Sequence, residues 1–296
     1  MSANADVLFV EQYNSMVTHA FQPQGFLLQG MFEPQSKIVG KKAHWPTFGR
    51  ATARQKQRGV RAEVDNPSAG DLTADLLTWE HLGEVYDFDG TRMAANEMQA
   101  LTQAAGKAMG RIVDLAGITI LNGVAPSSST GYIDGNANVT PAGQLTAGVL
   151  QLGLGTWMDT NNIPADGEIF GGISMTAHQQ LMSDSSYANS QWVGPDLPFK
   201  LKGLTQGRTW NFVNWVILPA EYLPVNAANT HDCFIWHKPS VGWTTNKQID
   251  SKWQYDIDFG SWKVRTESEG CGLALRGAAA VARLRVKTNL SALTKV

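Results

Sequence analysis

Asp89–Gly123 reads DGTRMAANEMQALTQAAGKAMGRIVDLAGITILNG, and the fold turns on this stretch. Ala94, Met98, Leu101, Ala105, Ala108, Ile112 and Leu115 recur at spacings of three and four, which lines them up along one helical face. Asp89 or Thr91 supplies an N-cap oxygen, and Asn122-Gly123 supplies the residues that commonly end a helix. About 30 residues at ~1.5 Å each predict a helix of roughly 45 Å, longer than most compact domains need. Gly106 and Gly110 each cost about 1 kcal/mol relative to alanine inside a helix, so both are expected where another backbone comes close.

Upstream, Val7, Val10, Tyr13 and Val17 suit a short amphipathic arm. Residues 34–85 read as a long β-hairpin. Ile38, Val39, Trp45 and Phe48 lie on one limb, Leu76, Leu77, Trp79 and Leu82 on the other, and a turn-rich end spans roughly 52–70. Its charges are sorted. Lys37 to Arg61 holds eight bases and no acid, whereas Glu63 to Glu97 holds nine acids and one base, Arg92. The basic run has no stacking aromatics at its tip, which argues against a base-reading nucleic-acid site. A basic limb followed by an acidic stretch can instead satisfy itself on a neighbouring copy, head to tail. The residues expected at that contact are Lys41, Lys42, Arg50, Arg54, Lys56, Arg58, Arg61, Glu63, Asp65, Asp71, Asp87 and Asp89.

Downstream, Thr140-Pro141 is expected to open a second helix carrying Leu145, Val149, Leu152 and Trp157 to about Asp159. Glu168–Ile173 reads as a strand and Thr176–Met182 as a short helix, an alternation that suggests an α/β lobe over 140–230. Trp210, Phe212, Trp215, Ile217 and Leu218 read as one buried strand. Further strands are expected at Cys233–Trp236, Trp262–Thr266 and Leu273–Val286, with a helical turn at Lys238–Thr245.

Sites for chemistry are sparse. Gly106-Lys107 lacks the rest of a phosphate loop, and Gly172-Ile173-Ser174-Met175-Thr176 lacks the last glycine of a nucleophile elbow. His231, Cys233 and His237 share one face of a strand, but no fourth metal ligand sits at a recognised spacing. Asp250, Asp256 and Asp258 among Trp243, Trp253, Tyr255 and Trp262 mix acids with aromatics as a carbohydrate cleft does. Tryptophan serves packing and subunit contacts equally well, and that reading is preferred. No catalytic residue, cofactor or metal is therefore expected.

Composition agrees. Of 296 residues, 43% are hydrophobic and 17% charged, with ten tryptophans and a net charge of −2. Soluble domains carry about 25% charged residues, so part of this surface is expected to meet protein rather than water. Two cysteines, Cys233 and Cys271, read as thiols in a reducing compartment. The opening MSANADVLFVEQYNS shows no secretion signal, and no apolar run is long enough to span a bilayer, so a soluble intracellular product without membrane partners is expected.

The order of these elements resembles the major capsid proteins of tailed bacteriophages, with the α+β HK97-type fold. Two stretches carry the likeness. One is Tyr86-Asp87-Phe88-Asp89 leading through Arg92, Asn96 and Ala105 to Gly110-Arg111 and Asp114. The other runs from Phe234 to Gly242, then through Gly272, Arg276-Gly277 and Val281-Ala282-Arg283-Leu284-Arg285-Val286. The resemblance implies an N-terminal arm (1–33), an extended loop (34–85) overlying an adjacent subunit, and an axial domain (140–230). A peripheral domain with the spine helix would comprise 86–139 and 231–296. It further implies hexamers and pentamers of an icosahedral shell around double-stranded DNA contacted non-specifically. A separate scaffolding protein, a portal at one vertex and a decoration protein are the implied partners, with assembly in the host cytoplasm and residence in the virion capsid. An encapsulin-like compartment of the same fold and a carbohydrate-active enzyme are the alternatives.

Overall fold

The computed structural model describes residues 25–34, 37–56, 58–59, 61, 64–86, 97–127, 132–134, 145–184, 208–210, 212–227 and 230–287. They fall into two compact units. One takes 25–26, 77–113 and 245–269; the other takes 27–76, 114–244 and 270–287.

The larger unit is built on a mixed sheet. Its strands are β5 (Tyr132–Asp134), β6 (Ile169–Ser174), β7 (Arg208–Trp210), β8 (Val213–Leu218), β9 (Val225–Ala227), β10 (Thr230–His237) and β13 (Val281–Lys287), in the order β5-β13-β10-β6-β8-β7 with β9 beside β10. β10 pairs antiparallel with β13 on one side and with β6 on the other. The sheet thus joins strands from both sides of residue 230. Cys233 to His237 are all buried, as a strand covered on both faces requires. Trp215, Phe234, Trp236, Leu150, Leu154 and Trp157 dominate the core.

Sequence and structure differ here in instructive ways. The expected strand from Trp210 to Leu218 is two strands, because Phe212 adopts a left-handed φ of 65° and turns β7 back on β8. Helix α2 (Ala147–Asn161) starts after Thr146, whose hydroxyl accepts from the Val149 N–H, so the helix begins later than Pro141 suggests. Residues 140–144 lie outside the described set. Helix α3 (Met175–Ser183) is capped by Ser174, whose hydroxyl accepts from the Ala177 N–H.

The long helix, α1, is described over Glu97–Val124; its expected start at Asp89 or Thr91 lies outside the described residues. Gly110 meets its expectation: a side chain there would lie 2.9 Å from the Gly25 Cα. Gly106 does not, since nothing approaches within 4 Å. Asp114 is fully buried and accepts the backbone N–H groups of Leu27 and Leu28, each at 3.1 Å. At the far end, the Arg283 guanidinium donates to the carbonyls of Asn122 and Ala125 at 2.9 and 3.0 Å. Those carbonyls lack partners within the helix itself. Arg283 also meets buried Asp232 at 2.7 Å, and Arg285 holds the other carboxylate oxygen at 3.1 Å.

The smaller unit centres on a three-stranded sheet, in the order β11 (Val241–Asp256), β12 (Ser261–Ala274), β4 (Leu77–Tyr86). Only Lys238–Ser240 forms a helical turn, and the remainder of the expected Lys238–Thr245 turn belongs to the 16-residue strand β11. The expected strand at Leu273–Val286 is likewise divided, with β12 ending at Ala274 and β13 starting at Val281. Gly83 of β4 sits so close to helix α1 that a Cβ would lie 2.5 Å from Leu101.

Candidate intersubunit surface

Residues 37–76 form a limb with a packed base and an open tip. β1 (Lys37–Val39), β2 (Lys42–Phe48) and β3 (Ala69–Asp75) pair antiparallel, with Trp45 opposite Leu72 and Lys42 opposite Asp75. The hairpin expected to run through Leu82 therefore closes at Asp75, and Leu77–Tyr86 departs to pair with β12. Ala43, Trp45 and Cys271 form a small core that Ile38, Leu76, Leu273 and Leu275 cover. Gly242 lies against the Trp45 indole, and a Cβ there would stand 2.5 Å from Nε1.

Beyond this base the character changes. The Gly49 N–H donates to the Ser68 carbonyl at 2.7 Å, and the Thr52 N–H donates to the Asp65 carboxylate. Every described residue from Gly49 to Ser68 is exposed, and none belongs to a helix or strand. Arg50, Lys56, Arg58 and Arg61 form no ion pair among the described residues, while Arg54 is engaged within the chain. Phe48 and Val64 are 78% and 83% exposed, so apolar groups accompany the cations.

The acids behave differently from the bases. Asp71 pairs with His44 at 2.6 Å and Asp75 with Lys42 at 3.9 Å, both across the limb. On β4, Glu80 pairs with Arg265 at 2.7 Å and Glu84 accepts from the Ser261 hydroxyl. Much of the acidic run is thus answered within the chain, by residues up to 185 positions away. Lys41 and Lys42 are exposed at the base. Glu63, Asp87 and Asp89 lie outside the described residues.

The other candidate sites resolve into structural roles. Ser174 is 1% exposed and caps α3, which removes it as a nucleophile. Lys107 lies in mid-helix, where no phosphate loop forms. Burial pushes the Cys233 thiol up to about 12, so it stays protonated and is a poor metal ligand. His237 turns instead to Asp166, 2.9 Å away. The hairpin β11–β12 carries a shallow depression of about 420 Å³ between Leu82 and Trp253. Acids of this hairpin are tied up: Asp256 accepts from Lys263 at 2.5 Å and Glu267 from Lys247 at 2.6 Å, and these lysines hold both carboxyls below their usual range. A glycosidase acid needs the opposite shift. Trp243 packs near Phe32, 6.5 Å between ring centroids, as a core residue.

Comparison with known proteins agrees with this picture. A search of curated proteins returned no match. Among solved structures, the capsid of Ralstonia phage GP4 superimposes with a TM-score of 0.72 at 10% identity, covering 99% of both chains. The capsid of Cyanophage P-SCSP1u gives 0.71 at 14%, covering 96% of this chain and 94% of that one. The capsid of a native GTA particle gives 0.68 at 11%, covering 96% and 97%. At such identities the likeness establishes the fold, a mixed helix and sheet architecture of the HK97 type. The matches give no support to an encapsulin-like compartment or a carbohydrate-active enzyme. The family model for phage capsid protein matches residues 5–285. The chain belongs to the phage capsid protein family.

Proposed function

We propose that this chain is a major capsid protein whose copies join as hexamers and pentamers, with the limb of each copy clamped on its neighbour. The family is one of structural proteins rather than enzymes, and self-association into a shell comes with it. The carrying observation is the limb itself: a packed base, an exposed tip, and four tip cations without an ion pair among the described residues. A contact of this head-to-tail kind closes a ring when the rotation allows. Lys41, Lys42, Arg50, Arg54, Lys56, Arg58 and Arg61 supply its positive side. Glu63, Asp65, Asp71, Asp87 and Asp89 supply acids on the facing copy, those already paired in the chain exchanging partners. Each exposed pair contributes only about 0–1 kcal/mol, so register and approach matter more than any single bond.

In this reading 34–85 is the extended loop, 140–230 lies toward the capsomer axis, and 86–139 with 231–296 forms the periphery. Double-stranded DNA is the enclosed cargo. A scaffolding protein, a portal and a decoration protein are the further partners, and assembly takes place in the host cytoplasm. The test is Arg54→Glu, Arg58→Glu and Arg61→Glu together, co-expressed with scaffold and viewed by negative-stain microscopy. A folded subunit without closed particles is the expected result. Normal shells from this variant would overturn the clamp.

A further inference from the structure

We propose that Asp166, Glu168 and His237 form a binding site for one divalent transition-metal cation of the zinc class. A ligand oxygen from each carboxylate and a ring nitrogen of His237 lie within 4.8 Å of one another, the only such group among the described residues. Tetrahedral zinc with ~2.0–2.2 Å bonds holds its ligand atoms roughly 3.4 Å apart. His237 Nε2 and Asp166 Oδ2, at 2.9 Å, are already near that separation. A rotation of the exposed Glu168 side chain brings in the third ligand, and water takes the open fourth position.

The backbone builds the cluster. Gly167 sits at φ +83°, a conformation that favours glycine, and reverses the chain between the two acids. The Glu168 N–H donates to Asp166 Oδ1 at 2.9 Å, which turns Oδ2 toward the histidine. The Asn214 amide holds the Gly167 carbonyl at 2.7 Å. His237 ends β10 directly opposite Ile169 of β6, and the Lys238 N–H donates to the Glu168 carbonyl at 2.9 Å. Both halves of the site are thus pinned to adjacent strands.

Two further observations point to a cation. The His237 side chain is 4% exposed, and its Nε2 is directed at the carboxylates. Nε2 meets the Asp166 carboxylate, and its lone pair can go to a metal in place of that hydrogen bond. The second observation is charge. Neither carboxylate pairs with a lysine or arginine among the described residues, and the Glu168 carboxylate has no recorded partner at all. A divalent ion would supply the positive charge that no lysine or arginine among the described residues brings there.

The full chain, stripped with chelator, is titrated with Co²⁺ followed by visible absorption and with Zn²⁺ followed by calorimetry. One ion per chain is expected, together with a rise in unfolding temperature. His237→Gln should abolish binding. Because His237 is buried, Glu168→Gln carries the decision: this exposed change keeps the fold and should weaken binding about tenfold or more, on the scale of losses seen around metal ligands. No saturable binding below about 1 mM, or equal affinity in Glu168→Gln, overturns the site.

Discussion

The base and the tip of the limb are a few residues apart in sequence and opposite in construction. At the base, Trp45 is 2% exposed and wedged beside Gly242, with Cys271 and Ala43 completing the core. At the tip, the described residues from Gly49 to Ser68 are all exposed, and recorded hydrogen bonds tie Gly49 to Ser68 and Thr52 to Asp65. The base sets a fixed origin, and at the tip Arg50, Lys56, Arg58 and Arg61 form no ion pair among the described residues. On the proposed clamp reading, stability rests in the base of the limb and assembly in its tip.

That separation can be broken deliberately. The largest effect is expected from Trp45→Ala, a buried aromatic truncation that should cost about 3–5 kcal/mol in denaturant unfolding. Trp45→Phe should cost far less, because it also removes an indole N–H that finds no acceptor in the described structure. Gly242→Ala comes next, at about 1–3 kcal/mol, since the new methyl meets a ring that cannot swing away.

Acid gives a smaller, regional effect. Hydrogen bonds from Lys263 and Lys247 hold Asp256 and Glu267 below their ordinary values. Their contribution is complete above the unfolded value of about 4 and fades as pH falls through the depressed folded value. The Tyr255–Trp262 pair, 5.1 Å apart beside Asp256, should report the loosening by near-ultraviolet circular dichroism. Lys263→Met should remove part of that pH dependence. The smallest stability effect belongs to the triple reversal at Arg54, Arg58 and Arg61, expected within about 0.5 kcal/mol of the parent. A large loss of stability there would erase the distinction between tip and base.

Some of this was legible in the sequence. The three-and-four spacing from Leu101 to Leu115 reads directly as helix α1, because periodicity is a local signal, but the helix buries Ala105, Met109, Ile118 and Leu121 and leaves Leu115 40% exposed. Strand β11 was hidden because Pro239, Ser240 and Gly242 look like a turn, and because Thr244 to Gln248 are polar residues of a partly solvated strand. The partners of the acidic run stayed hidden for another reason. Arg265 lies 185 residues from Glu80, and charge sorting along the chain carries no information about such pairs. Sequence separation also concealed the group proposed as a cation site, since His237 stands 71 positions from Asp166. The Gly-Arg-x-x-Asp run, recognised by likeness, gains a physical meaning in the contacts of Gly110 and Asp114 with the segment around Gly25 to Leu28.

Arg283 has a consequence in time. The carbonyls it caps, at Asn122 and Ala125, leave the ribosome about 160 residues before it does. Strand β10 likewise lacks one neighbour until β13, which begins at Val281, has been made. Closure of the core thus waits on contacts of large sequence separation, the kind that form slowly. A nascent chain that still lacks β13 cannot present a finished core to its neighbours.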